Sequence, residues 1–426
     1  MGTQVPGQEW LDAYRHQLAT MAYAVAAAQY HRMPAARSTF KPLMGKIIHN
    51  MLRREAWGYW FLTSHSGSLV DPDLKELRKP WEDPICKENI MNDSMVFNWN
   101  PVYWGFGPEK YSYSLATLQE AILKEMEANG WIGVCCEPNM VFIACNQFPL
   151  TAMQINDVRN GGNVADEVLA KYKAAWQKKG MMGKDGLLRD AYRTKQVSSV
   201  DAFDIGFPAW AAAHMAWNIE QMEHLYPKRS DAHKIYAKAR ELAAKASPQY
   251  PSFMHSVYGW VIEWAAEVPA EDLDGLLKHA DQFFGPQWEN GGLFYPRNDT
   301  QYDSNDNHVY VEPLTGNVGI AYAQLTVKRG QATMWNRPWT KENVRTMPWI
   351  DGGQLERGKG RLVCVVSDWH GRRVDVGPGF KQLLAGRYGV YVDGSLREEA
   401  VVRTGEDVRM KLEIGGYEID VVAVRA

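Results

Sequence analysis

Three of the five cysteines in this 426-residue chain fall in one short stretch, GWIGVCCEPNMVFIACNQFP, residues 130–149. Pro138 suits the first position of a helix, and the spacing predicts a helix over 138–158. On that reading Cys136 and Glu137 lie at the helix N-terminus, where unpaired N–H groups and the helix dipole favour a thiolate. Cys145 then follows two turns later, roughly 10 Å along the axis on the same face. Two thiols at different heights on one cavity-lining face would bracket a small ligand, one giving a proton and the other taking one. The same pattern also suits two small buried hydrophobes, the common fate of cysteine in a core.

Other polar residues compete for chemical roles. His214 stands near Asp201 and Asp204 in DAFDIGFPAWAAAHM, and Asp204 reads as the N-cap of a helix, with catalysis at the mouth of that helix as its second use. Tyr295, Asp299, His308 and Glu312 belong to a polar run, 290–317, that is expected to form an ordered loop, touching substrate or stapling itself together. Two apparent motifs fail on chemistry. GQLERGKG from Gly353 has phosphate-loop spacing, but Gly360 stands where a magnesium-binding hydroxyl is needed. Asp303, Asn305 and Asn307 alternate like calcium ligands, yet His308 takes the place of the obligatory Gly, and Leu314 that of the bidentate Glu.

These residues need elements to position them. From Trp10 to about residue 345, apolar residues recur at helical spacing, predicting helices near 8–31, 40–64, 88–106, 111–129, 138–158, 163–179, 203–225, 230–247, 251–267, 270–284, 314–328 and 340–346, with almost no strand. So many helices suit antiparallel pairs stacked in a ring, an (α/α)6 toroid or barrel with a central cavity. No fixed period supports the runner-up, a helical solenoid. Near Gly352 the texture changes to short Val- and aromatic-rich runs such as RLVCVVSDW and YEIDVVAV, which predict a small antiparallel β domain. The expected division is a barrel over 1–350 and a β domain over 351–426.

Bulk properties narrow the partners. A net charge of -3 provides no basic field for nucleic acid. Seventeen Trp, twenty Tyr and eighteen Met supply either a large core or a pocket of aromatic faces and thioethers for a small hydrophobic substrate. The chain shows no secretory pattern at its start and no apolar run near 18 residues, so the expectation is a cytoplasmic protein with no membrane span and reduced thiols. The cysteines lack zinc-ligand spacing, and no metal or organic cofactor is expected.

DPICKENIM (83–91), followed by NGWIGVCCEPNMVFIACNQFP (129–149), resembles the linalool dehydratase/isomerase family, in which a DPI-x-KENIM segment precedes a CEP-N/D segment and a CN step, with two cysteines nine apart. The agreement is densest over 83–150, with the shared domain expected over 10–330. The resemblance implies an (α/α)6 fold, cofactor-free dehydration and isomerisation of allylic terpene alcohols, and catalytic roles for Cys136 and Cys145. Two features depart from the family. Met95, four residues beyond Met91 of KENIM, stands where the family has a histidine, and AVAAAQYHRMPA lacks the family's first-helix Asp, leaving Tyr30 and His31 as the nearest polar groups. A different substrate or outcome, such as cyclisation, follows as an expectation. Glu137, Met91, Met95, Tyr30, His31, Tyr295 and Glu312 are the expected substrate contacts. The β tail lies outside the family pattern and leaves assembly into a homo-oligomer open. Two other classes fit parts of the sequence: a carbohydrate-active (α/α)6 enzyme using carboxylates such as Asp204 and Glu312, and a non-catalytic carrier of hydrophobic ligands.

Overall fold

The computed structural model describes residues 14–34, 36–51, 73, 97–99, 109–111, 114–136, 139–202, 205–220, 222, 225, 254–268, 273–289, 292–295, 300–302, 308–311, 317–340, 342–343, 349–356, 361–367, 372–380, 383–404, 406, 408–415, 417 and 419–426. The helices are α1 (Tyr14–Ala27), α2 (Arg37–Met51), α3 (Leu115–Ala128), α4 (Ile143–Asn160), α5 (Val164–Lys179), α6 (Gly206–His214), α7 (Met254–Glu267), α8 (Leu273–Phe283), α9 (Asn317–Leu325) and α10 (Gly330–Asn336). A π-helical turn, Ala28–Arg32, continues α1. The chain forms two compact units: one of residues 1–27 and 47–338, the other of 28–46 and 339–426.

Within the first unit six helices close a circuit of packing: α1 on α9, α9 on α7, α7 on α6, α6 on α4, α4 on α10, and α10 back on α1. Four of these seams show their physical cause directly. Gly319 of α9 lets the backbone approach α7 so closely that a Cβ there would stand 2.4 Å from the Gly259 carbonyl oxygen. Trp210 of α6 stacks on Trp260 of α7 with ring centroids 4.8 Å apart. Phe148 of α4 meets Trp210 at 5.5 Å, and Gln154 donates to Asn336 of α10 at 2.8 Å. Trp176, Trp210 and Trp264 are among the largest fully buried side chains, so much of the Trp content is core.

Short strands also occur where a helix or a loop is expected. Phe97–Trp99, inside the expected 88–106 helix, pairs with Glu109–Tyr111. Met140–Phe142 pairs with Ala191–Arg193, which in turn pairs with Ser198–Val200. The expected 290–317 loop contains the strands Gly292–Phe294, Thr300–Tyr302 and His308–Val311. The helix expected over 203–225 ends at His214, and the one expected over 230–247 lies outside the described residues.

In the second unit an antiparallel sheet holds its five strands in the order Trp349–Glu356, Arg361–Ser367, Ile419–Arg425, Gly386–Val392, Ser395–Val402. Cys364, Val366, Val390, Val392, Ile419 and Val421 bury one face, as period-two alternation requires. Asp393 and Gly394, both at positive φ, make the two-residue hairpin turn that such strands favour. Gly353–Glu356, the first half of GQLERGKG, ends the first of these strands. No helix among the described residues is long and apolar enough to cross a membrane.

Candidate active site

The cysteine segment is organised by one amide. Asn146, the residue after Cys145, accepts from the Val134 N–H at 2.8 Å and donates to the Val134 carbonyl at 3.0 Å and the Phe142 carbonyl at 2.8 Å. The side chain imitates a neighbouring strand, so Val134 is bound to the start of α4. Gly133 makes this possible: its φ is +128°, and a Cβ there would fall 2.3 Å from Asn146 Oδ1. Cys136 is two residues from one end of this clamp and Cys145 is adjacent to the other. Both sulfur-bearing residues are buried, and among the described residues no disulfide joins Cys135, Cys136, Cys145 or Cys364.

The expected helix start at Pro138 is corrected. The strand Met140–Phe142 intervenes, the Cys136 N–H donates to the Met140 carbonyl at 3.0 Å, and α4 begins at Ile143. The strand wins because Ala191–Arg193, distant in sequence, supplies its ladder. Cys145 is therefore in the first turn of α4 rather than two turns along it, and the dipole argument for Cys136 loses its helix.

Cys145 lies three residues after Phe142 and one helical turn before Phe148. Phe142, Phe148, Phe207 and Tyr23 all keep part of their surface accessible. They form a connected wall: Tyr23 stacks on Phe148 at 5.7 Å, Phe142 meets Phe207 at 6.0 Å, and both Phe148 and Phe207 touch Trp210.

Beneath this wall is a buried pair. His214 ends α6, 4.7 Å from Phe148 and 5.2 Å from Tyr23 between ring centroids, and its Nε2 faces Glu263 Oε1 of α7 at 3.3 Å. Among the described residues neither Glu263 oxygen has a hydrogen-bond partner, and Glu263 is fully buried. One turn further on, Glu267 is satisfied: Tyr322 and Thr326 donate to Oε1, and the Gln331 N–H donates to Oε2. Burial pushes its carboxyl up to about 7 despite those donors, with the neighbouring Glu263 adding to the rise. Burial, and then the charge of Glu263, raises the Tyr23 phenol well above its ordinary range.

The remaining expected contacts are dispersed. Tyr295 is buried; its hydroxyl donates to Asp281 at 2.7 Å and accepts from Gln324 at 2.9 Å, which staples the chain. Tyr30 and His31 belong to the second unit, where they meet edge to face at 4.8 Å and Tyr30 stacks on Trp339. Asp201 makes a surface ion pair with Arg189. Asp204, Glu137, Met91, Met95 and Glu312 lie outside the described residues, and Ile205 occupies the N-cap of α6. Glu263 and Tyr23 escaped the sequence reading. The signal for Glu263 was its place in the apolar run WVIEWAAE, where a carboxylate has no solvent to face.

Among the described residues no group of three His, Cys, Asp or Glu is placed to hold a metal ion. Comparison with solved structures aligns the chain with three enzymes at low similarity. The unsaturated glucuronyl hydrolase of Bacillus sp. GL1 shares 9% identity, covering 76% of this chain and 89% of that one, with a TM-score of 0.38. The α-1,6-mannanase of Salegentibacter sp. HEL1_6 shares 10%, covering 77% and 89%, with a TM-score of 0.36. The β-L-arabinofuranosidase of Geobacillus stearothermophilus T6 shares 12%, covering 99% and 64%, with a TM-score of 0.25. No curated protein matches in sequence. The described residues define a mainly helical unit that contains buried cysteines and a connected set of aromatic rings, followed by an antiparallel β region. The family model for linalool dehydratase/isomerase matches residues 15–93 and 92–301, and the chain belongs to that family.

Proposed function

We propose that this chain is a cofactor-independent lyase or isomerase that ionises an allylic alcohol of terpenoid or prenylated type, with Cys136 and Cys145 as its thiol groups. The observation that carries this reading is the position of Cys145 in the matched family segment, three residues from each of Phe142 and Phe148, two members of a partly accessible set of aromatic rings. An uncharged hydrocarbon alcohol suits such rings. Breaking its C–O bond leaves an allylic cation, and each aromatic face stabilises positive charge by about 0.5–2 kcal/mol when water is kept away. Cys145, acting as its thiolate, then removes a proton from the carbon beside the cation. The closed circuit of α1, α9, α7, α6, α4 and α10 supports taking these helices as the inner ring of an (α/α)6 barrel.

The test is incubation of the purified chain with a panel of terpene alcohols headed by linalool, with products separated by gas chromatography. Cys136→Ala and Cys145→Ala are expected to fold and to lose at least about 100-fold in turnover, the usual scale for removing an acid or base. Wild-type turnover in both variants rules out the thiol mechanism.

A further inference from the structure

We propose that Tyr23, His214 and Glu263 form a proton relay beneath the aromatic wall, with Tyr23 as the group that meets the substrate hydroxyl. The inference rests on the alcohol-ionising reading above and supplies the acid that this reading needs.

The argument begins with an internal contrast on α7. Glu263 and Glu267 are one turn apart and equally buried. Glu267 has three donors, as a structural carboxylate in a core should. Among the described residues Glu263 has none, and it faces His214 Nε2, which likewise has no hydrogen bond. A carboxylate kept dry without donors destabilises the fold, and such groups persist where their chemistry is needed. The pair also sits in the right place. The His214 ring contacts Tyr23 and Phe148, and Phe148 is one turn from Cys145. His214 and Glu263 are covered, and among the described residues whose rings meet His214, Tyr23 keeps accessible surface and carries a hydroxyl, which makes it the group placed to pass a proton to a bound alcohol. Its raised affinity for its proton keeps it a phenol between turnovers.

The relay balances. Each cycle opens with the mobile proton on His214, opposite the Glu263 carboxylate. Tyr23 gives its own proton to the substrate oxygen as the C–O bond breaks and its electron pair leaves with water, and His214 reprotonates Tyr23. The adjacent carbon surrenders a proton to Cys145 acting as its thiolate, and the C–H electron pair becomes the new double bond. Release of that proton from Cys145 to solvent and uptake of one by His214 reset the site, so one water is lost and the protein is unchanged. Tyr23 and Cys145 touch the substrate; His214 and Glu263 act through Tyr23 and position it.

Two variants test this in the full chain with linalool as the probe. Tyr23→Phe keeps the stacked ring and removes only the hydroxyl; Glu263→Gln keeps shape and removes the charge. Folding is checked by circular dichroism, and binding by quenching of the neighbouring Trp210 and Trp335 fluorescence. The expected result is a fall in kcat of roughly 100-fold or more for both variants, with KM and quenching within about threefold of wild type. A merely structural role would move KM and the melting curve together. If Glu263→Gln does not fold, Tyr23→Phe decides alone. Wild-type conversion that survives in Tyr23→Phe overturns the relay while leaving the proposed function intact. A wild-type chain that neither binds nor converts any alcohol of the panel overturns both.

Discussion

Glu267 offers a test that needs no substrate. Its folded carboxyl is pushed up to about 7 from an ordinary 4.5, chiefly by burial. Between those values the native protein holds a proton that the unfolded chain releases, so stability falls as pH rises. The contribution is fully present below about 4.5 and is lost by the time pH passes about 7. Each pH unit in that window is worth about 1.4 kcal/mol, so Glu267 alone removes about 3 kcal/mol. Glu267→Gln cannot ionise and therefore lacks this slope. Its amide oxygen still accepts from Tyr322 and Thr326, but its NH2 faces the Gln331 N–H, and that orphaned donor costs about 1–3 kcal/mol at every pH. The two proteins should therefore differ most near pH 5, with wild type more stable, and converge or cross by pH 8. Urea titrations of both proteins at half-unit intervals from pH 5 to 8 measure this directly. Parallel stability curves would refute the reasoning, since other titrating groups cancel in the difference between wild type and variant.

Other perturbations follow from the same geometry. Asn146→Ala orphans the Val134 N–H and two carbonyls at once, and should cost roughly 3 kcal/mol in denaturant unfolding. Gly319→Ala forces a Cβ into the Gly259 carbonyl and should destabilise by about 1–3 kcal/mol, read as a lower melting temperature. The Cys364 thiol is pushed up to about 11 by burial and then by the charge of Asp420. Native protein at pH 8 should therefore leave Cys364 unalkylated by iodoacetamide over a period in which urea-unfolded protein reacts fully, as peptide mass spectrometry would report.

Much of the architecture was legible because it is local. Helices such as Val164–Lys179 and the Val-rich strands of the tail announce themselves through apolar periodicity. What stayed hidden depends on distant partners. Met140–Phe142 becomes a strand only because Ala191–Arg193 lies beside it, and that displaced the helix start on which the reading of Cys136 rested. The thiols themselves were found, since cysteine near Pro and Asn is conspicuous in a chain otherwise poor in it. His214 was noticed for its neighbouring aspartates, yet its partner Glu263 comes from a helix farther along the chain, and no spacing rule connects the two. Tyr23 gave no signal at all, because an aromatic on an apolar helix reads as core.

The clamp made by Asn146 has a consequence for how the molecule comes into being. It ties positions only twelve apart, so the closure costs little chain entropy and needs nothing that follows α4. During synthesis the sulfur-bearing bend can acquire its hydrogen bonds while α7, which carries Glu263, is still unmade. The hydrogen bonds of Asn146 can therefore form first, whereas the ladder of Met140–Phe142 waits for Ala191–Arg193 and the contact of His214 with Glu263 forms only when α7 packs on α6.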